Sequence, residues 1–207
     1  MMKDYEVLKK YFGYESFREG QQELITNILE RHDVLGIMPT GAGKSICYQV
    51  PAVMLEGITL VISPLISLMK DQVGTLNEAG IRAAYLNSSL SYAQYRKALS
   101  LARGYTYKII YVAPERLMSD EFLSFAKEMK ISMVCVDEAH CVSQWGQDFR
   151  PHYLHIREFL KEMPQCPSMK AGRLSANSRG RRKTPTCRTP PWPSPGPSTA
   201  AGTRSPI

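Results

Sequence analysis

Met38-Pro39-Thr40-Gly41-Ala42-Gly43-Lys44-Ser45 stands between an apolar run, Val34–Met38, and a helical pattern over residues 44–55. A strand that turns through glycines into a helix has the build of a phosphate cradle. Glycines let backbone N–H groups turn inward, the helix N-terminus favours an anion, and a lysine at position 44 reaches terminal phosphates. The Ser45 hydroxyl can meet a Mg2+ ion. The strict G-x-x-x-x-G-K-[ST] pattern is not met, because Met38 holds the first glycine position. The strand–turn–helix context is nevertheless the one the chemistry requires.

Outward from this stretch, further apolar runs fall at residues 58–63, 81–86 and 108–112 and at Ile131–Val136. Helical spacing separates them, at residues 65–79, 92–102 and 119–128. Over 65–79 the apolar positions are Leu65, Leu68, Met69, Val73 and Leu76, three or four apart for the most part. Repeated strand–helix units predict an α/β fold with a parallel sheet covered by helices on both faces, its ligands at the carboxyl ends of the strands. The acid matching the cradle is Asp137, which follows Ile131–Val136 in Asp137-Glu138-Ala139-His140. Such a pair is often a solvated turn, and its meaning comes from its place just after an apolar strand. Asp137 would hold Mg2+ through water, and Glu138 would orient or deprotonate an attacking water. Cradle and acids together predict ATP hydrolysis.

The two motifs together resemble superfamily 2 helicases, and further segments resemble the RecQ family in particular. The resemblance runs over residues 5–163 and implies a RecA-like P-loop lobe that couples ATP and Mg2+ to 3′-to-5′ DNA unwinding in recombination and repair. Phe12-Gly13-Tyr14-Glu15-Ser16-Phe17-Arg18-Glu19-Gly20-Gln21 looks like the family's adenine-recognition motif. The Gln21 amide would meet the donor and acceptor edges of adenine, Tyr14 would stack on the base, and Arg18 would assist. Phe12 and Phe17 read as core. Ser63-Pro64-Leu65-Ile66-Ser67-Leu68-Met69-Lys70-Asp71-Gln72 resembles the next family motif, which offers N–H groups and Ser63 to a DNA phosphate. Asn87-Ser88-Ser89 and Ala113-Pro114-Glu115-Arg116-Leu117 resemble further DNA-facing or coupling motifs. Ser143-Gln144-Trp145-Gly146-Gln147-Asp148-Phe149-Arg150-Pro151 resembles the aromatic-rich loop of RecQ proteins, with Gln147 where the family commonly has histidine. Trp145 and Phe149 would stack on single-stranded bases and Arg150 would add a cation, while His140 and Gln144 lie between them and the acids. A buried structural tryptophan is the other reading of Trp145.

Composition bounds the rest. The chain has 207 residues and is 43% hydrophobic, which suits one globular domain with an appendage. No apolar run approaches the ~18 residues that span a bilayer, and no signal-peptide core follows Met1, so a cytoplasmic setting is expected. Five cysteines (Cys47, Cys135, Cys141, Cys166 and Cys187) form no C-x-x-C pair, so neither zinc nor a disulfide framework is indicated. The net charge of +7 is uneven. From Gln165 onward there are eight basic residues and no acid, leaving 18 basic against 19 acidic residues before it. Bulk charge therefore gives no ground for DNA binding by the body of the chain.

Residues 165–207 hold eight prolines and, among Leu, Ile and Val, only Leu174 and Ile207. This composition predicts a disordered tail after a lobe at 1–164, and its abrupt onset suggests a shifted reading frame or a non-native segment. The resemblance also implies an apolar strand after the helix near residues 152–162, placed between the cradle strand and the acid strand. Residues 164–172 offer no such run, so a slot in the sheet is expected. No second lobe, zinc region or winged helix is expected within the chain. Unwinding by these residues alone is not expected. The alternative to a motor is a module that binds ATP and single-stranded DNA without turnover. Binding through the basic tail and an RNA helicase are further options. Oligomeric state has no signature in the sequence.

Overall fold

A computed structural model describes residues 3–39, 41–139, 154–163 and 166–173. Two helices, α1 (Asp4–Phe12) and α2 (Gln21–Leu29), precede β1 (Val34–Met38). Then follow α3 (Lys44–Met54), β2 (Ile58–Ile62), α4 (Ile66–Glu78), β3 (Ala83–Leu86), α5 (Tyr92–Arg103) and β4 (Ile109–Val112). A 3-10 turn at Pro114–Arg116 leads to α6 (Asp120–Glu128), β5 (Ile131–Val136), α7 (Leu154–Glu162) and β6 (Ser168–Arg173). The strands form one sheet of six in the order β1-β6-β5-β2-β4-β3, and every neighbouring pair is parallel.

Alternation along the strands divides the core. One face carries Val34, Met38, Val61, Tyr111, Met133 and Cys135, packed under α2, α3 and α4 through Leu24, Tyr48, Met69 and Val73. The other carries Ile58, Leu60, Ile62, Ile110, Val134 and Val136 under α5, α6 and α7, with Leu99, Phe122, Phe125 and Phe159 as its large side chains. A smaller cluster of Val7, Leu8, Ile25, Ile46 and Val50 seats α1 on α2 and α3. Central strands buried on both faces read as continuous apolar runs, which is how β2, β4 and β5 look. The expected α/β architecture is therefore the observed one. Residues 174–207 of the expected tail lie outside the described residues.

The expectation of a slot between the cradle strand and the acid strand is corrected. β6 occupies that place, pairing Val34 with Met169 and Met38 with Arg173 on one side and Val134 with Ser168 on the other. Met169 and Ala171 are fully buried. The strand enters on a bracket from Asp33, whose Oδ1 accepts from the Ser168 amide at 2.7 Å and the Ser168 hydroxyl at 2.9 Å. Space explains why a methionine fits in the middle of the sheet. A Cβ built on Gly36 of β1 would lie 3.5 Å from Met169 Cε and 3.1 Å from Leu24 Cδ1, so the glycine leaves room for both. The lobe thus extends beyond residue 164.

Candidate nucleotide site

The cradle, the acids and the first helix-to-helix segment meet at the carboxyl end of the sheet. Gly41 at φ 80° and Gly43 at φ 74° turn the chain from β1 into α3, a conformation that suits glycine. Gly43 has a second constraint, since a Cβ there would sit 2.7 Å from Gln21 Nε2. α3 begins at Lys44; the Lys44 and Ser45 amides lie in its first turn, where the helix ladder offers no carbonyl, and the Ile46 amide donates to the Gly43 carbonyl at 3.1 Å. Thr40 lies outside the described residues.

Lys44 reaches across to the end of β5, where its Nζ lies 3.6 Å from Glu138 Oε1. The two side chains are 13% and 7% exposed, so the pair is buried. Lys44 Nζ has no hydrogen bond among the described residues. The Asp137 amide continues the ladder to the Ile62 carbonyl at 2.9 Å, and Asp137 Oδ1 accepts from the Glu138 amide at 2.9 Å. Glu138 sits at φ 51°, a left-handed conformation that costs a non-glycine residue about 1–3 kcal/mol. Strain at the residue that must face the cradle is the kind a functional site retains.

Tyr14, Ser16, Arg18, Gln21, Gly41, Gly43 and Ile46 line a cavity of about 130 Å3 beside the cradle. The Tyr14 ring is half exposed there, as a base-stacking role needs. Gln21 differs from expectation. It is 3% exposed, and its amide is occupied within the protein. Gln21 Oε1 accepts from the Arg18 amide at 2.9 Å, and Nε2 donates to the carbonyls of Ala42 and Gly43 at 3.1 and 3.0 Å. Arg18 Nη1 donates to the Gly41 carbonyl. Both residues brace the cradle from below, so in this arrangement the Gln21 amide is turned to the loop and not to a base edge.

Ser63, expected to offer its hydroxyl to a DNA phosphate, and Asn87, expected in a DNA-facing or coupling motif, are turned inward. Ser63 is 1% exposed, its amide donates to the Val112 carbonyl at 3.1 Å, and its hydroxyl is buried without a partner among the described residues. Asn87 is fully buried and builds the turn after β3, its Oδ1 accepting from the Ser89 amide at 3.0 Å and the Ser89 hydroxyl at 2.7 Å. In this conformation both side chains are closed off from solvent. His140, Gln144, Trp145, Phe149 and Arg150 lie outside the described residues. Three side chains beneath the site had no place in the sequence reading, Tyr48 and Gln49 on α3 and Tyr111 on β4, and Gln72 on α4 was read only as the end of the segment from Ser63. Polar residues inside the apolar patterns of α3 and β4 were the available signal.

A family model for the DEAD/DEAH box helicase matches residues 18–177, which include β6. The chain belongs to the DEAD/DEAH box helicase family. This DEAD/DEAH box chain is 52% identical over 166 residues to the ATP-dependent DNA helicase RecQ of Bacillus subtilis, covering 80% of the chain and 28% of that protein. It is 49% identical over 164 residues to RecQ of Pasteurella multocida, covering 79% of the chain and 26% of that protein. The chain therefore spans roughly a quarter of the length of these relatives, and the motif-level resemblance to RecQ holds over the lobe. Among solved structures, the DUF1998 helicase MrfA bound to DNA superposes with a TM-score of 0.67 at 19% identity, covering 84% of this chain and 26% of that one. A hypothetical ATP-dependent RNA helicase from Sulfolobus tokodaii gives 0.63 at 20% identity, with 84% and 51% covered. At such identities the likeness of the DEAD/DEAH box lobe to these structures is one of fold. No helix among its described residues is long and apolar enough to cross a membrane.

Proposed function

We propose that this DEAD/DEAH box lobe is the ATP-hydrolysing first lobe of a RecQ-type DNA helicase that moves 3′-to-5′ on DNA. The observation that supports it most is the buried Lys44–Glu138 pair at 3.6 Å, spanning the cradle helix and the acid strand. The similarity to RecQ proteins of Bacillus subtilis and Pasteurella multocida supports DNA as the partner.

The open amides of α3 and the Lys44 ammonium bind the β- and γ-phosphates, and Tyr14 covers the base. Phosphate draws Lys44 away from Glu138, whose carboxylate then takes a proton from the attacking water. The water oxygen bonds to the γ-phosphorus, the bond to the bridging oxygen breaks, and ADP leaves with the electron pair. Ser45 and Asp137 would hold Mg2+, an all-oxygen donor set suited to a hard cation. When bound, the ion supplies charge that offsets that of the phosphoryl oxygens. Thr40 and Ala42 complete the cradle. Trp145 and Phe149 stack on single-stranded bases, Arg150 meets phosphate, and His140 and Gln144 join this loop to the acids. The start of α4 carries the neighbouring DNA contact. A cytoplasmic setting belongs to the same reading.

The test is phosphate release by the purified chain with and without single-stranded DNA. Turnover raised by DNA supports the motor reading. ATP binding with no turnover under either condition gives instead a binding module, and failure to bind ATP overturns both.

A further inference from the structure

Beneath the nucleotide site a polar chain crosses the apolar core. Tyr48, Gln49 and Tyr111 are 2%, 4% and 1% exposed. The Tyr48 and Tyr111 hydroxyls lie 3.3 Å apart. Gln49 Nε2 donates to the Tyr111 hydroxyl at 3.3 Å and to Gln72 Oε1 at 2.8 Å. Buried amides and phenols carry a desolvation cost that apolar side chains of like volume would avoid, and they are tolerated only when bonded to one another. No other side-chain hydrogen bond among the described residues joins α3 to α4.

The location of this bond matters. α3 starts at Lys44 and Ser45, so a rotation or slide of α3 moves the phosphate-binding groups. α4 starts directly after Ser63-Pro64 at the end of β2, the neighbour of β5 and its acids. Below the bond, Tyr48 and Tyr111 pack in one cluster with Met133 and Cys135 of β5, so the chain lies next to the acid strand. A hydrogen bond joins a helix that opens at the cradle to one that opens at the end of β2, the geometry that a coupling route needs and that a measured coupling energy establishes.

We propose that the Gln49–Gln72 bridge is a positioning contact through which DNA bound at the start of α4 changes the affinity of the cradle for ATP. This rests on the DNA-motor reading above. Gln72 acts through Gln49 and touches neither nucleotide nor reacting atoms.

Coupling between two ligands is reciprocal, so it can be read from either side. A fluorescent non-hydrolysable ATP analogue is titrated into the full chain with and without oligothymidylate, and the ratio of the two dissociation constants is recorded. The unsubstituted chain should give a ratio of about 5–150. Gln72→Ala should bring it close to 1. Gln72→Glu keeps an acceptor oxygen facing Gln49 Nε2 and should retain the coupling. Gln49→Glu replaces the donor with a second acceptor and should abolish it. A merely structural role would lower the melting temperature or weaken both affinities while leaving the ratio intact. Coupling that persists in Gln72→Ala overturns the bridge alone. If DNA leaves ATP affinity unchanged in the unsubstituted chain, the bridge and the DNA-motor reading fall together. Should Gln72→Ala not fold, the contrast between Gln72→Glu and Gln49→Glu decides the matter.

Discussion

The ammonium of Lys44 is buried 3.6 Å from Glu138 with no hydrogen bond among the described residues, a poor resting place for a group with three donors. A terminal phosphate satisfies those donors, so Lys44→Ala should remove most ATP-analogue binding, read by fluorescence titration. Glu138→Gln separates binding from chemistry. It keeps shape and loses the base, so kcat should fall by about 10²–10⁴ with KM little changed. Equal turnover by Glu138→Gln and the unsubstituted chain would remove Glu138 from the mechanism. The cradle and the acids were legible in the sequence because phosphate chemistry demands those residue types at fixed offsets from a strand end. What Gln21, Ser63 and Asn87 touch was not legible. Gln21 bonds to carbonyls at Ala42 and Gly43, and Ser63 to the Val112 carbonyl, partners that only the folded chain brings near.

Among the elements, β1 to β5 were legible because branched aliphatic runs bounded by turn residues have few other conformational choices. β6 escaped notice because Ser-Met-Lys-Ala-Gly-Arg has little intrinsic strand preference. Its conformation is set by two ready-made edges, β1 and β5, and by the Asp33 bracket. The short α1 was hidden for a related reason: only Val7 and Leu8 are buried along it, too few to display a helical period. Tertiary placement of β6 has an energetic consequence. Met169 is fully buried over Gly36, so Met169→Ala should destabilise the lobe by about 2–5 kcal/mol in urea unfolding. A loss below about 0.5 kcal/mol would mean that β6 does not hold the sheet together.

The whole molecule keeps ionisable groups in its apolar layers. Burial pushes the Cys47 thiol up from 9.0 to about 12, and burial likewise holds Cys135, Tyr48 and Tyr111 above their ordinary values. Each group keeps its proton longer in the folded chain than in the unfolded one. Above about pH 9 the unfolded state therefore binds fewer protons, and stability falls as pH rises toward 12. Thermal melts from pH 7 to 11 should be level at first and then decline, whereas a level profile to pH 11 would show that these groups are not buried as described. The order in which the sheet is completed has a consequence in time. β6 is the last of the described strands in sequence yet sits between β1 and β5, with Ser168 bonded to Asp33 across 135 positions. At about 5–20 residues per second, a ribosome would need on the order of ten seconds after β1 emerges to deliver its neighbour. The β1 edge stands open for that whole interval and the β5 edge for its last few seconds, roughly 2–6 s, and they are where a chaperone would be needed or a second unfinished chain would attach.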